Sequence, residues 1–151
     1  MSSRTSRRTH PIRLKGPWEV TFFPADQSTT ASVDQRIIHL PAEWRDLFGD
    51  TPGRAVFERR FNRPTGLTDG HNVRLLLRDV AGELCVRLND ERLPIERTAD
   101  SITAVEITGR MEPHNRLRVE IEFDPCEDPE CPGGLWQPVI LQIEEPNEVS
   151  R

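Results

Sequence analysis

From Arg116 to Phe123 the chain alternates without a break. Leu117, Val119, Ile121 and Phe123 are spaced by Arg118, Glu120 and Glu122. A period of two sends the apolar set to one face and the charged set to the other, which predicts a half-buried antiparallel strand. The same period recurs at Val73, Leu75 and Leu77 within Asn72–Asp79, and at Leu84, Val86 and Leu88. Phe57 and Phe61 fall on one face of Ala55–Phe61. Trp18–Phe23, Arg36–Leu40, Ile102–Ile107 and Val139–Ile143 are short apolar runs, and Leu93 and Ile95 follow the Asn89-Asp90 pair. Together these segments predict about nine or ten short strands.

Turn residues divide them. Thirteen prolines and nine glycines fall at short intervals, so the strands are brief and the turns regular. Asn89-Asp90 tolerates positive φ and suits a tight hairpin. Helix evidence is confined to Pro41–Phe48, with proline near its start and Gly49 just past its end, and its length makes it a connector. The expected architecture is an all-β, two-sheet antiparallel β-sandwich. Only 35% of the residues are hydrophobic, enough for one thin core layer. The expected boundaries are a flexible basic tail at 1–13, one sandwich at 14–145 and a C-terminal tail at 146–151.

Charge narrows the partners. The net charge of −5 argues against a nucleic-acid footprint. Arg4, Arg7, Arg8, Arg13 and Lys15 crowd the start, and acids crowd the last third; the plain reading is a solvated tail and an acidic rim. No apolar run has the length of a signal-peptide core or a membrane span, so the chain as written is expected in the cytoplasm, away from membranes. Three cysteines in a reducing compartment are expected as free thiols.

Several motifs stand in a telling order: Leu14-Lys15-Gly16-Pro17-Trp18, Leu40-Pro41-Ala42-Glu43-Trp44, and Phe57-Glu58-Arg59-Arg60-Phe61 followed by Pro64. Then come Val86-Arg87-Leu88-Asn89-Asp90, Glu106-Ile107-Thr108, Asn115-Arg116-Leu117-Arg118-Val119 and Gly133-Gly134-Leu135-Trp136-Gln137-Pro138-Val139. This series resembles the N-terminal sugar-binding domain of glycoside hydrolase family 2, the β-galactosidase and β-glucuronidase group. The resemblance implies a jelly-roll, galactose-binding-domain-like sandwich that is not itself catalytic. In that family the catalytic carboxylates lie on a separate barrel. Asp90 stands where the family has the glycine of its Asn-Gly hairpin, Gln137 replaces an arginine, and Glu91–Ser101 replaces a glycine- and aromatic-rich stretch.

The candidate chemistry follows. Glycoside hydrolysis needs two carboxylates held across the sugar, and no pair stands out, so no enzyme activity and no catalytic residue are expected. Sugar sites use an aromatic face and a few fixed polar groups. The chain has three tryptophans and no tyrosine; core packing is the plain reading of Trp18 and Trp136, and Trp44 is expected to anchor the 41–48 connector. The candidate ligand residues are Asn89, Asp90, Asp79 and Trp136. Asn89 carries over most directly from the resemblance, although closing a hairpin explains it equally. Cys126-Glu127-Asp128-Pro129-Glu130-Cys131 leaves three readings open: a metal loop, a disulfide or an ordinary loop. No cofactor is implied; the resemblance makes a structural calcium conceivable, but no calcium-loop motif is present. Arg59 shares a face with Phe57 and Phe61 and is expected to pair with an acid. Three functions compete: a stand-alone carbohydrate-binding or accessory module, a protein-interaction or scaffold sandwich with a protein partner or a second copy, and a piece of a split glycoside hydrolase.

Overall fold

The structure, a computed structural model, describes residues 8–25, 34–98 and 100–146. Residues 1–7 of the expected 1–13 tail and 147–151 of the expected 146–151 tail lie outside them. The strands are β1 (Thr9–Arg13), β2 (Trp18–Pro24), β3 (Asp34–Ile38), β4 (Gly53–Asn62), β5 (Asn72–Arg78), β6 (Glu83–Leu88), β7 (Glu91–Leu93), β8 (Glu96–Arg97), β9 (Ile102–Glu106), β10 (His114–Phe123) and β11 (Ile140–Glu144). One helical turn, α1 (Trp44–Phe48), links β3 to β4. Every pairing is antiparallel. A six-stranded sheet runs β3-β2-β4-β10-β6-β7, and a five-stranded sheet runs β1-β11-β5-β9-β8. The expected two-sheet sandwich is therefore the fold observed.

The period of two does the work foreseen for it. On β10, Leu117, Val119, Ile121 and Phe123 are buried, while Arg116 and Glu122 are exposed. Register carries that inward row across the sheet: Val119 faces Phe57 on β4 and Val86 on β6. From the other sheet, Val73, Leu75, Leu77, Val105, Leu141 and Ile143 meet it in one continuous core. Each such buried side chain contributes about 1.5–3 kcal/mol. An aromatic cluster closes one end. Trp44 meets Phe22 at 5.7 Å, Phe48 at 4.9 Å and Phe123 at 5.3 Å, all edge-on. That edge-to-face geometry suits the ring quadrupoles.

Four details differ from expectation. Thr9–Arg13 is not tail but edge strand β1, in register with β11 from Thr9 opposite Glu144 to Arg13 opposite Ile140. All five of its side chains are exposed, so backbone pairing holds it and no apolar pattern announces it. His10 accordingly sits on a strand and hydrogen-bonds to Glu145. The helix begins at Trp44, not Pro41, because Glu43 holds an extended backbone, φ −86° and ψ 149°, and so caps it. Ala42 N–H donates to the Leu135 carbonyl, and Trp44 N–H to those of Pro132 and Gly133. Within the 91–101 stretch β7 takes the expected place of Leu93 after the hairpin, and the two-residue strand β8 was not foreseen.

The fourth concerns Arg59. It lies on the inward row between Phe57 and Phe61, opposite Leu117, but no acid pairs with it among the described residues. One Nη donates to the Pro17 carbonyl at 3.2 Å, and the buried Nε has no partner among the described residues. Burial disfavours the charged form and lowers its pKa.

Candidate functional site

The four residues singled out in the sequence divide into two pairs. Asp79 lies in the connection that leaves β5 and enters β6, and Asn89-Asp90 follow the far end of β6. A six-residue strand separates them, about 20 Å at 3.3 Å per residue. They occupy opposite ends of the sandwich and cannot share one small ligand.

Asn89 and Asp90 are committed to structure. Both adopt left-handed backbones, with φ of 53° and 71°. Asn and Asp tolerate that region better than most residues because their short side chains bond locally. Here Asn89 Nδ2 donates to Asn115 Oδ1 at 3.0 Å, and Asn89 Oδ1 accepts the Arg116 amide at 2.8 Å. Asn115 is itself buried, and it bonds the backbone of Glu112 in both directions. Asp90 holds the Arg116 guanidinium through both carboxylate oxygens, at 2.9 and 3.1 Å. The pair closes the β6–β7 hairpin and ties it to β10.

Asp79 and Trp136 meet at the other end. The Trp136 indole N–H donates to the Asp79 carbonyl at 3.0 Å. The Asp79 amide donates to the Ser101 carbonyl at 2.8 Å. Asp79 and Ser101 both sit at positive φ, 55° and 60°, so two tight turns are clasped face to face. The Asp79 carboxylate has no partner among the described residues. Around it lies an open groove of about 720 Å³ whose lining includes Arg97, Thr98, Ser101, Thr103, Glu130 and Trp136.

The Gly-Gly-Leu-Trp run explains how Trp136 comes to this rim. Gly133 and Gly134 take φ of 72° and 70°, and a Cβ on Gly133 would lie 2.4 Å from the Phe123 ring. The two turns drive Leu135 into the core and swing Trp136 outward. Trp18 and Trp44 are 0% exposed, whereas Trp136 keeps part of its surface free. Core packing thus describes the first two and not the third. Sequence reasoning missed Arg97, Ser101 and Thr103. They reach the groove through β8 and β9, in a segment whose lack of aromatics marked it as an unpromising replacement.

The acidic loop holds free thiols at Cys126 and Cys131. Cys126 Sγ donates to the Asp50 carbonyl at 3.9 Å. Among the described residues no three His, Cys, Asp or Glu side chains gather as a metal site would require. No helix among them is long and apolar enough to cross a membrane.

The architecture is that of a galactose-binding-like jelly roll, and solved structures show where the same fold recurs. An FMN-binding β-glucuronidase from Faecalibacterium prausnitzii L2-6 superposes with a TM-score of 0.69 at 20% identity, over 91% of this chain and 23% of that one. A rhamnosidase from Novosphingobium sp. PP1Y gives 0.70 at 19% identity, over 95% of this chain and 16% of its own. A β-galactosidase-like protein from Bacteroides fragilis gives 0.68 at 17% identity, over 91% and 23%. This chain therefore spans less than a quarter of each of these three proteins. No protein-family model and no curated protein matches it. The resemblance to the jelly-roll domain of family 2 glycosidases holds at the level of the fold.

Proposed function

We propose that this sandwich is a non-catalytic carbohydrate-binding or accessory module whose ligand sits in the Trp136–Asp79 groove. One observation carries the reading. Trp136 is only half-buried, its N–H held by the Asp79 carbonyl, beside a carboxylate without a partner among the described residues and the exposed Ser101. An apolar ring face beside a few fixed polar groups is the arrangement that holds a sugar by its C–H face and its hydroxyls.

The rival reading, a protein-interaction scaffold, calls for a broad exposed apolar patch. Among the described residues the exposed large hydrophobics are Ile12 and Ile37, on edge strands of different sheets. That scatter supports the sugar reading over the scaffold. A glycan-array screen followed by calorimetric titration tests it. Saturable binding that disappears in Asp79→Asn, which keeps the left-handed turn, and persists in Asn89→Ala is the expected result. A folded protein that binds nothing on the array refutes it.

A further inference from the structure

The acidic loop that joins β10 to the Gly-Gly-Leu-Trp run carries two thiols, Cys126 and Cys131. It is built from two turns in succession. Glu127 N–H donates to the Asp124 carbonyl at 3.1 Å, and Cys131 N–H to the Asp128 carbonyl at 3.1 Å. Each turn reverses the chain, so the loop folds back on itself between the two cysteines.

One guanidinium closes the base of that loop. Arg45 Nη2 donates to the Pro125 carbonyl at 3.0 Å, and Nη1 to the Cys131 carbonyl at 2.7 Å. The Pro125 carbonyl belongs to the peptide that enters Cys126. A rigid planar fork thus holds the peptide entering one cysteine beside the peptide leaving the other. Arg45 is itself fixed, its Nε donating to the Asp50 carboxylate at 3.1 Å.

The two thiols are held differently. Cys131 is half-buried against the core and lines the Trp136 groove beside Glu130 and Pro132. The next carbonyl, that of Pro132, accepts the Trp44 amide at 3.1 Å, so this side is anchored. Cys126 is exposed, and its thiol reaches only the Asp50 carbonyl, at 3.9 Å. Cys85 is set within the sheet on β6, opposite Glu120. An exposed thiol is the one a dissolved disulfide meets first, and an anchored thiol next to it is placed to resolve the product.

We infer that Cys126 and Cys131 are a redox-sensitive pair, closed by a small disulfide such as oxidised glutathione and reopened by thiol, that locks one wall of the Trp136 groove. The Cys126 thiolate attacks one sulfur of the oxidant; its S–S bond breaks and the first glutathione thiolate leaves. The Cys131 thiolate then attacks the Cys126 sulfur and displaces the second. The two protons lost by the cysteines end on the two glutathiones, so two thiols are oxidised and one disulfide is reduced. The product is a six-residue ring whose anchored side, Glu130 and Cys131, is groove wall.

As a control on ligand binding the pair rests on the carbohydrate reading. As chemistry it does not, and neither readout of its test uses a sugar. The full chain is equilibrated with oxidised and reduced glutathione at about 0.1 mM and weighed intact. Loss of two hydrogens is expected, with peptide mapping placing the bond between Cys126 and Cys131. At that concentration the ring should exceed the mixed disulfide on Cys126 at least about tenfold, because a nearby thiol acts at millimolar effective concentration. Cys131→Ser is expected to trap the mixed disulfide, and Arg45→Gln to reverse the preference for the ring. Hydrogen exchange of the 127–131 amides should slow at least about tenfold on oxidation. A lasting mixed disulfide on Cys126 in the natural protein, a bond to Cys85, or an Arg45→Gln variant that closes as readily overturns the pair. Unchanged exchange in the closed ring overturns the lock.

Discussion

Asn89 offers the sharpest test of the reading that moved it from ligand contact to keystone. Replacement by alanine removes the 3.0 Å bond to Asn115 and the 2.8 Å bond from the Arg116 amide. Two such bonds are worth about 0.5–1.5 kcal/mol each. Alanine must also hold the φ of 53° without a local side-chain bond, at about 1 kcal/mol. The sum is about 2–4 kcal/mol, a large share of the 5–15 kcal/mol available to a domain. Urea denaturation of three variants separates the terms. Asn89→Gly removes the bonds but not the backbone freedom, so it should lie about 1 kcal/mol above alanine. Asn89→Asp keeps the acceptor for the Arg116 amide but sets a carboxylate oxygen against Asn115 Oδ1, so it should be clearly less stable than the natural protein. An alanine variant within about 0.5 kcal/mol of the natural protein, the range of an ordinary surface change, would refute the assignment.

Three further outcomes follow from the same geometry. Arg59→Met keeps an unbranched stem in the inward row and removes the orphaned Nε. Losing the Nη bond to the Pro17 carbonyl offsets that gain, so calorimetry should place the variant within about 1 kcal/mol of the natural protein, and a loss of about 2 kcal/mol or more would show that the guanidinium is satisfied. Trp44→Ala, in the ring cluster at 0% exposure, should cost about 3–5 kcal/mol in urea unfolding; less than about 2 kcal/mol would mean that the cluster repacks around the gap. Glu145 is held below the usual carboxylate range, chiefly by its hydrogen bond from His10. A depressed pKa adds stability above the ordinary carboxylate value and loses it as the pH falls through the lower, folded one. Hydrogen exchange, corrected for its intrinsic pH dependence, should therefore quicken selectively in β1 amides on acidification, and uniform protection of β1 down through that range would contradict it.

How much of this was legible in the residues depends on what burial writes into a sequence. β10, β5 and β6 have one wet and one dry face, so alternation marked them plainly. β1 has five exposed side chains. It is held by backbone pairing, which leaves no trace in residue type, and the basic run around it made it read as tail. The Asn89-Asp90 turn was visible from its chemistry, but its distance from Asp79 was not. That distance depends on the chain passing from one sheet to the other between Asp79 and Glu83, which fixes which ends of the strands lie together. Arg59 was placed correctly on its face, and its missing acid was invisible because partners across strands are set by register. The Trp136 groove was half legible: the aromatic was named, and the β8–β9 residues opposite it were not.

The edge pairing of β1 with β11 also sets how the molecule would answer a pull. Thr9 lies opposite Glu144, so both chain ends leave the sheet at the same end of that pair. Tension applied there runs across the strands and loads one rung at a time, the geometry of a zipper rather than of a lap joint. β1 should peel at low force without wetting the interior, since none of its side chains is buried. The peel would halt at Leu14, which is buried and whose amide bonds the Val139 carbonyl at 2.9 Å. β1 would thus act as a few extra residues of slack, released before the sandwich itself bears any load.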